Sequence, residues 1–197
     1  MTQQEAYEVV FGFDPASGKV DFHFPWKAKK LESVNAANPV VVGDRVLITE
    51  CYGPGSALLR VKADDYELLR KDPPRDQSLA SHWATPIHDG GVVYGCSGRH
   101  SGDAELRAIR LDDGKVLWSQ PGMGRTTMIH VQDHLIVLGE RGRLWAVEAT
   151  PAGYNELSAT EPLVTYPAWN PPVLANGLLY VRGADKLRCF DLRSKRE

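Results

Sequence analysis

Four copies of a strand–turn–strand pattern, an alternating strand behind each copy, and glycines and prolines gathered at the junctions predict an all-β fold. The copies recur every 40 to 50 residues: Pro39, Pro86, Met128 and Pro172 stand at the same point of each, 47, 42 and 44 residues apart. That period, with four strands per copy, is the signature of a β-propeller built from radial four-stranded antiparallel blades. No long stretch carries the 3.6-residue periodicity of a helix.

Taken in chain order, the first element is YEVVFGFDPASG from Tyr7, an alternating run that ends in an Asp-to-Gly turn and continues into KVDFHF from Lys19. The first full copy opens with NPVVVGDRVLI from Asn38, continues with ALLRVKADD from Ala57, and ends in YELL from Tyr66. The second runs TPIHDGGVVYG from Thr85, ELRAIRLDDG from Glu105 and KVLW from Lys115. The third runs TMIHVQDHLIV from Thr127 and RLWAVEATPAG from Arg143, with no evident fourth strand. PPVLANGLLYV from Pro171 and KLRCFDLR from Lys186 close the chain. The hairpin turns fall at Gly43-Asp44, Gly90-Gly91, Gln132-Asp133 and Asn176-Gly177, mostly residues that accept positive φ at little cost. The expected blades are 36–70, 82–118 and 126–168, with partial blades at both ends of a single 1–197 propeller unit.

Composition narrows the function. A net charge of −2 gives no reason to expect a nucleic-acid partner or an anionic membrane surface. No apolar run approaches the roughly 20 residues that span a bilayer. The start, MTQQEAYEVV, lacks the basic and apolar stretches of a signal peptide, which leaves a cytoplasmic location open. Cys51, Cys96 and Cys189 form no CxxC and are read as small buried residues. The Gly-Lys pairs lie in turns and lack the phosphate-loop pattern, and Asp112–Gly114 lacks the further ligands of an EF-hand.

The segment LRAIRLDDGKVLWSQ, Leu106 to Gln120, resembles the tryptophan-docking phrase of pyrroloquinoline-quinone (PQQ) propeller repeats. VFGFDPASGKVDFHF, Val10 to Phe24, is similar, with Phe22 or Phe24 in place of the Trp. The resemblance covers nearly the whole chain. It implies that Trp118 is buried between neighbouring blades, that the parent ring has six to eight blades, and that the protein is periplasmic or secreted. A closed four-bladed ring, with strands 7–13 and 19–24 completing the blade begun at Pro172, is the alternative. WD40 and kelch repeats fit less well, for no Trp-Asp occurs and Gly90-Gly91 precedes the second strand.

Function in a propeller belongs to the loops that leave the second strands and those that lead into the first strands, which meet on one face. Glu50, Tyr52, His82, Trp83, Arg99, His100, Glu140, Arg141 and Trp169 are the candidate ligand-binding residues of that funnel face. Arginines there suit carboxylates or phosphates, and the rings suit a flat ring or sugar. The bland reading is a solvated rim with surface ion pairs such as Glu140–Arg141. His88 and His130 occupy equivalent repeat positions, where Val41 and Leu174 stand in other copies, and are read as structural; no metal site is assigned.

Quinone enzymes of the resembled family hold Ca²⁺ with Glu and Asn, use an Asp base and often carry a Cys-Cys pair. The chain has no Cys-Cys, and Glu50 and Asn35 could serve as oxygen ligands for a hard cation, although nothing in their spacing demands it. The favoured expectation is therefore a non-catalytic binding or scaffold propeller with a protein, peptide or small-molecule partner. The alternative is a PQQ- and Ca²⁺-dependent alcohol dehydrogenase-like oxidoreductase.

Overall fold

The computed structural model describes residues 9–28 and 34–193, all strands and turns. Three sheets have four strands each. The first holds β3 (Val40–Val42), β4 (Arg45–Glu50), β5 (Gly55–Val61) and β6 (Tyr66–Lys71). The second holds β7 (Ile87–Asp89), β8 (Val92–Ser97), β9 (Glu105–Arg110) and β10 (Val116–Pro121), and the third β11 (Thr126–Val131), β12 (His134–Gly139), β13 (Leu144–Glu148) and β14 (Glu156–Ala159). Each is an antiparallel meander of sequence neighbours. A two-stranded sheet, β1 (Val9–Phe13) and β2 (Val20–Pro25), precedes them. A three-stranded sheet, β15 (Val173–Ala175), β16 (Leu178–Arg182) and β17 (Leu187–Asp191), follows. Among the described residues the two outer sheets do not pair with each other, so the four-bladed closure is not formed.

The first strands lie innermost, where β7 contacts both β3 and β11. The hairpin turns are two residues long, and their positive φ falls on Gly43, Gly90, Gly91, Gln132, Asn176 and Gly177, as the turn positions require. The third sheet differs from expectation. Its fourth strand is the short Glu156–Ala159, so the sheet ends before residue 168.

The core consists of seams between sheets. Side chains alternate along each strand, and in the middle strands both faces are covered. In β8, Val92 and Tyr94 enter the seam toward the third sheet, while Val93 enters the seam toward the first. In β9, Leu106 and Ala108 point one way and Ile109 the other. Burial on both faces is why these strands are apolar nearly throughout.

Trp118 is 8% exposed. It packs against Tyr94 and Tyr154, and its Nε1–H donates to the carbonyl of Thr150 on the next sheet at 2.8 Å. The expectation for the cysteines holds only in part. Cys96 is buried and Cys51 half-buried, but Cys189 is exposed, because β17 has no neighbour covering it among the described residues.

Candidate functional site

Strand direction sets the working geometry. In an antiparallel meander, the links from second to third strand and from one sheet to the next emerge at the same end. On that face the aromatic side chains form a continuous chain of rings. Tyr52 meets His82 at 5.5 Å between centroids, His82 meets Trp83 at 4.9 Å, Trp83 meets Trp169 at 5.3 Å, and Trp169 meets Tyr166 at 6.1 Å. The chain starts on the loop after β4, crosses the link into β7 and ends on the link into β15. Interplanar angles of 52 to 85° make it a row of edges and slots rather than a flat platform.

Two arginines flank the rings. The Arg99 guanidinium lies 4.6 Å from the Tyr52 centroid. That of Arg125 lies 4.8 Å from Trp83 and 5.5 Å from Trp169, inside the range of cation–π attraction. Trp83 Nε1–H also donates to the Trp169 carbonyl at 3.2 Å, which ties the two indoles across the loops.

Glu140 is the hub beneath them, with only 1% of its surface exposed. Its carboxylate accepts from Arg125 Nε at 3.0 Å, Arg125 Nη2 at 2.7 Å and the Arg125 amide at 3.0 Å. Its backbone carbonyl accepts from the Ala168 amide at 2.9 Å, fixing the segment that presents Trp169. Burial alone would raise the Glu140 pKa. The hydrogen bonds from Arg125 and Ser101, with the Arg125 charge, outweigh it and hold the carboxyl down at about 2. Gly124 is needed here: its φ is +69°, and a Cβ would come within 3.1 Å of the Glu140 carboxylate. At Gly142, with φ +87°, a Cβ would overlap the Val164 carbonyl at 1.9 Å.

The Tyr52 hydroxyl and His82 Nε2 share a hydrogen bond of 2.9 Å. His82 Nδ1 is buried without a hydrogen-bond partner. Burial, then the charges of Arg125, Arg99 and His100, lower the His82 pKa, so the ring is neutral at neutral pH. Glu50 lies buried under the same loop and accepts the Tyr52 amide at 2.9 Å.

The structure thus brings Glu50, Tyr52, His82, Trp83, Arg99, Glu140 and Trp169 into one connected group. His100 stands next to Arg99 in a turn capped by Asp103, which accepts the His100 amide at 2.6 Å. Arg141 is exposed and does not pair with Glu140; that expected ion pair is replaced by Arg125–Glu140. Arg125 and Tyr166 are the residues the sequence list missed. Both lie on links into first strands, and no local pattern singled out Arg125, because Glu140 has Arg141 beside it in sequence. Glu32 and Ser33, on the link into β3, lie outside the described residues.

His88 Nε2 accepts the Gly91 amide at 3.2 Å and so serves its own hairpin turn. The residues do not fit a Ca²⁺-held quinone. Asn35 donates its side-chain amide to the Trp26 carbonyl at 3.2 Å, Glu50 serves the Tyr52 amide, and the described residues include no cluster of three or more His, Cys, Asp or Glu able to hold a metal.

Sheet count, seam packing and the docked Trp118 define a β-propeller of PQQ-like repeats. The family model described as outer membrane protein assembly factor BamB matches residues 2–151, and the chain belongs to that family. A curated relative, the outer membrane protein assembly factor BamB of Alkalilimnicola ehrlichii, is 30% identical over 120 residues, 57% of this chain and 30% of the relative. Among solved structures, BamB from Moraxella catarrhalis superposes with a TM-score of 0.69 at 15% identity, over 98% of this chain and 54% of that one. The computationally designed Ika4 protein superposes with a TM-score of 0.61 at 10% identity, over 85% of this chain and 96% of that one. The chain therefore spans about a third of the curated relative and about half of the solved BamB chain. Among the described residues no helix is long and apolar enough to cross a membrane.

Proposed function

We propose that this chain is a non-catalytic binding propeller that works in outer-membrane protein assembly on the periplasmic side, holding a protein partner on the face of the ring chain. The observation that carries the reading is the connected band from Tyr52 to Tyr166, set by Arg125 and Glu140. It spans loops of several sheets and is rich in the Trp, Tyr and Arg that anchor protein interfaces. Family membership supports the assembly role, and the engagement of Asn35 and Glu50 in local hydrogen bonds weighs against the quinone-dependent dehydrogenase.

A photo-crosslinking residue at Arg141 or Trp169 tests the reading, with controls at the opposite-face turns Asp44 and Asn176. Crosslinks to an assembly partner are expected at the first two positions only. Crosslinks confined to Asp44 and Asn176 overturn the choice of face, and crosslinks at none overturn the binding role.

A further inference from the structure

The ring chain borders a groove of about 540 Å³ that runs along the innermost strands. Trp83, Pro86 and Ile87 line one side, and Met128, Ile129 and His130 the other. The volume is in the range of sites that enclose a sizeable apolar group. Its lining is mainly apolar, yet His130 Nε2 is buried there with no hydrogen bond, 3.9 Å from the Asp89 carboxylate. His82 Nδ1, behind Trp83, is likewise unpaired. When His82 Nε2–H donates to the Tyr52 oxygen, Nδ1 is left as a bare acceptor, the tautomer that strands no buried N–H. The groove thus offers an apolar slot with one ring nitrogen, His130 Nε2, that lacks a hydrogen-bond partner.

Charge narrows the occupant. On the second-to-third-strand loops the acidic groups are engaged internally: Glu140 by Arg125, Asp103 by the His100 amide, and Asp185 by the Thr165 amide and Lys186; on the links between sheets, Asp76 and Glu161 are exposed and make no ion pair among the described residues. Arg141 and Arg182 are exposed and make no ion pair among the described residues. On the second-to-third-strand loops beside the ring chain the charge left for a partner is positive, so the complementary partner there is acidic. The tilted rings suit side chains inserted between ridges, as in grooves that take extended peptides, better than the flat face of a sugar.

Resting on the binding role above, we propose that this face recognises an extended acidic peptide segment. One apolar side chain enters the groove between β7 and β11, the main chain crosses Trp83 and Trp169, and flanking carboxylates meet Arg141 and Arg182. Glu140 acts as a positioning residue, because it fixes Arg125 and the Ala168 amide and thereby the two indoles.

The test uses the full chain and an array of synthetic peptides of about nine residues, each with a single Leu, Pro or Phe at the centre and flanks of Asp, Lys or Ser. Asp-flanked peptides are expected to bind at least about tenfold more tightly than Lys-flanked ones, and to weaken as NaCl rises from about 50 to about 300 mM. Arg141→Glu should abolish the preference, and Trp169→Ala should weaken binding about fivefold or more while leaving the melting temperature unchanged. Glu140→Gln should weaken binding and shift the indole fluorescence, and Trp169→Phe should restore most of the affinity lost in Trp169→Ala. Equal binding of Lys- and Asp-flanked peptides, binding unaffected by Arg141→Glu and Trp169→Ala, or quenching by chitotetraose with a silent array each overturn the proposal. A silent array with crosslinks retained at Arg141 and Trp169 refutes the peptide class alone; loss of both refutes the binding role as well.

Discussion

The seam between the first and second sheets and the seam between the second and third are closed at equivalent positions by opposite chemistry. Each third-to-fourth strand pair carries a bulge, and the residue that follows it on the fourth strand is Phe22, Arg70, Trp118 or Ser158 in successive sheets. Arg70 therefore stands where Trp118 stands one sheet later. Both reach across the seam to a carbonyl just after the third strand of the next sheet: Arg70 Nε–H to Leu111 at 3.1 Å, Trp118 Nε1–H to Thr150 at 2.8 Å. Trp118 does so as a largely apolar plug over Ala108. Arg70 needs an anion, and Asp72 supplies it. The Asp72 carboxylate also accepts the amides of Ser56 and Ser78 at 2.7 and 3.0 Å, and both hydroxyls, at 2.9 and 2.7 Å. One docking position thus accepts either a ring or a paired cation, provided a donor points at the next sheet.

The largest effect should come from breaking the ionic seam by one partner. Asp72→Ala leaves the largely buried Arg70 guanidinium without its carboxylate and strands the amides of Ser56 and Ser78, at a cost of about 3–5 kcal/mol. In a chain of this length that is a fall in melting temperature of roughly 10 °C. A drop below about 3 °C in differential scanning calorimetry would show that water reaches the network and that the two seams are not equivalent. Trp118→Ala should cost about 3–4 kcal/mol by cavity formation. Unlike the aspartate variant, its loss should be insensitive to salt, and a salt-dependent loss would contradict the apolar account of that seam.

Acid sharpens the contrast between ionic and aromatic closure at the loop face. The Glu140 carboxyl is lowered from 4.5 to about 2, so its contribution is present above pH 4.5 and is lost as pH falls toward about 2. Its size is up to about 3 kcal/mol, the shift converted at 1.36 kcal/mol per unit. Glu140→Gln should therefore be less stable than the parent at pH 7, with the gap closing between pH 4.5 and 2. A gap that is constant with pH would show that the hydrogen bonds, and not the charge, hold Arg125.

Much of the architecture was legible because hairpin turns and seam residues announce themselves locally. Gly90-Gly91 and Asn176-Gly177 mark two-residue turns by the φ they need, and Trp118 is recognisable by its ring. Arg70 was not legible: YELLRK contains no ring in the docking position, and only the bulge register shows that the guanidinium replaces it. The strand Glu156–Ala159 was hidden because its residues are mostly exposed and its docking residue is Ser158. At the site, adjacency misled. Glu140 and Arg141 are neighbours in sequence, but one side chain is buried and the other exposed, so the true partner is Arg125, fifteen residues away. The ring chain was foreseen as a set of loops, but its order depends on how those loops cross, which no local pattern encodes.

The smallest effect isolates what the two docking residues have in common. Trp118→Phe keeps a six-membered ring against Tyr94 and Tyr154 but removes the five-membered ring and with it the Nε1–H that meets the Thr150 carbonyl. The ring loss is partial, and the exposed turn lets water satisfy the freed carbonyl. The expected cost is about 1 kcal/mol, the net value of a neutral hydrogen bond. In this chain that is a shift of about 2–4 °C, readable by calorimetry. Phe22 provides the internal precedent: it holds the same register position, packs its ring against Tyr66 at 5.5 Å and has no donor at all. If Trp118→Phe costs as much as Trp118→Ala, the hydrogen bond dominates the seam. The resemblance between Arg70 and Trp118 would then rest on the donor rather than on the volume filled.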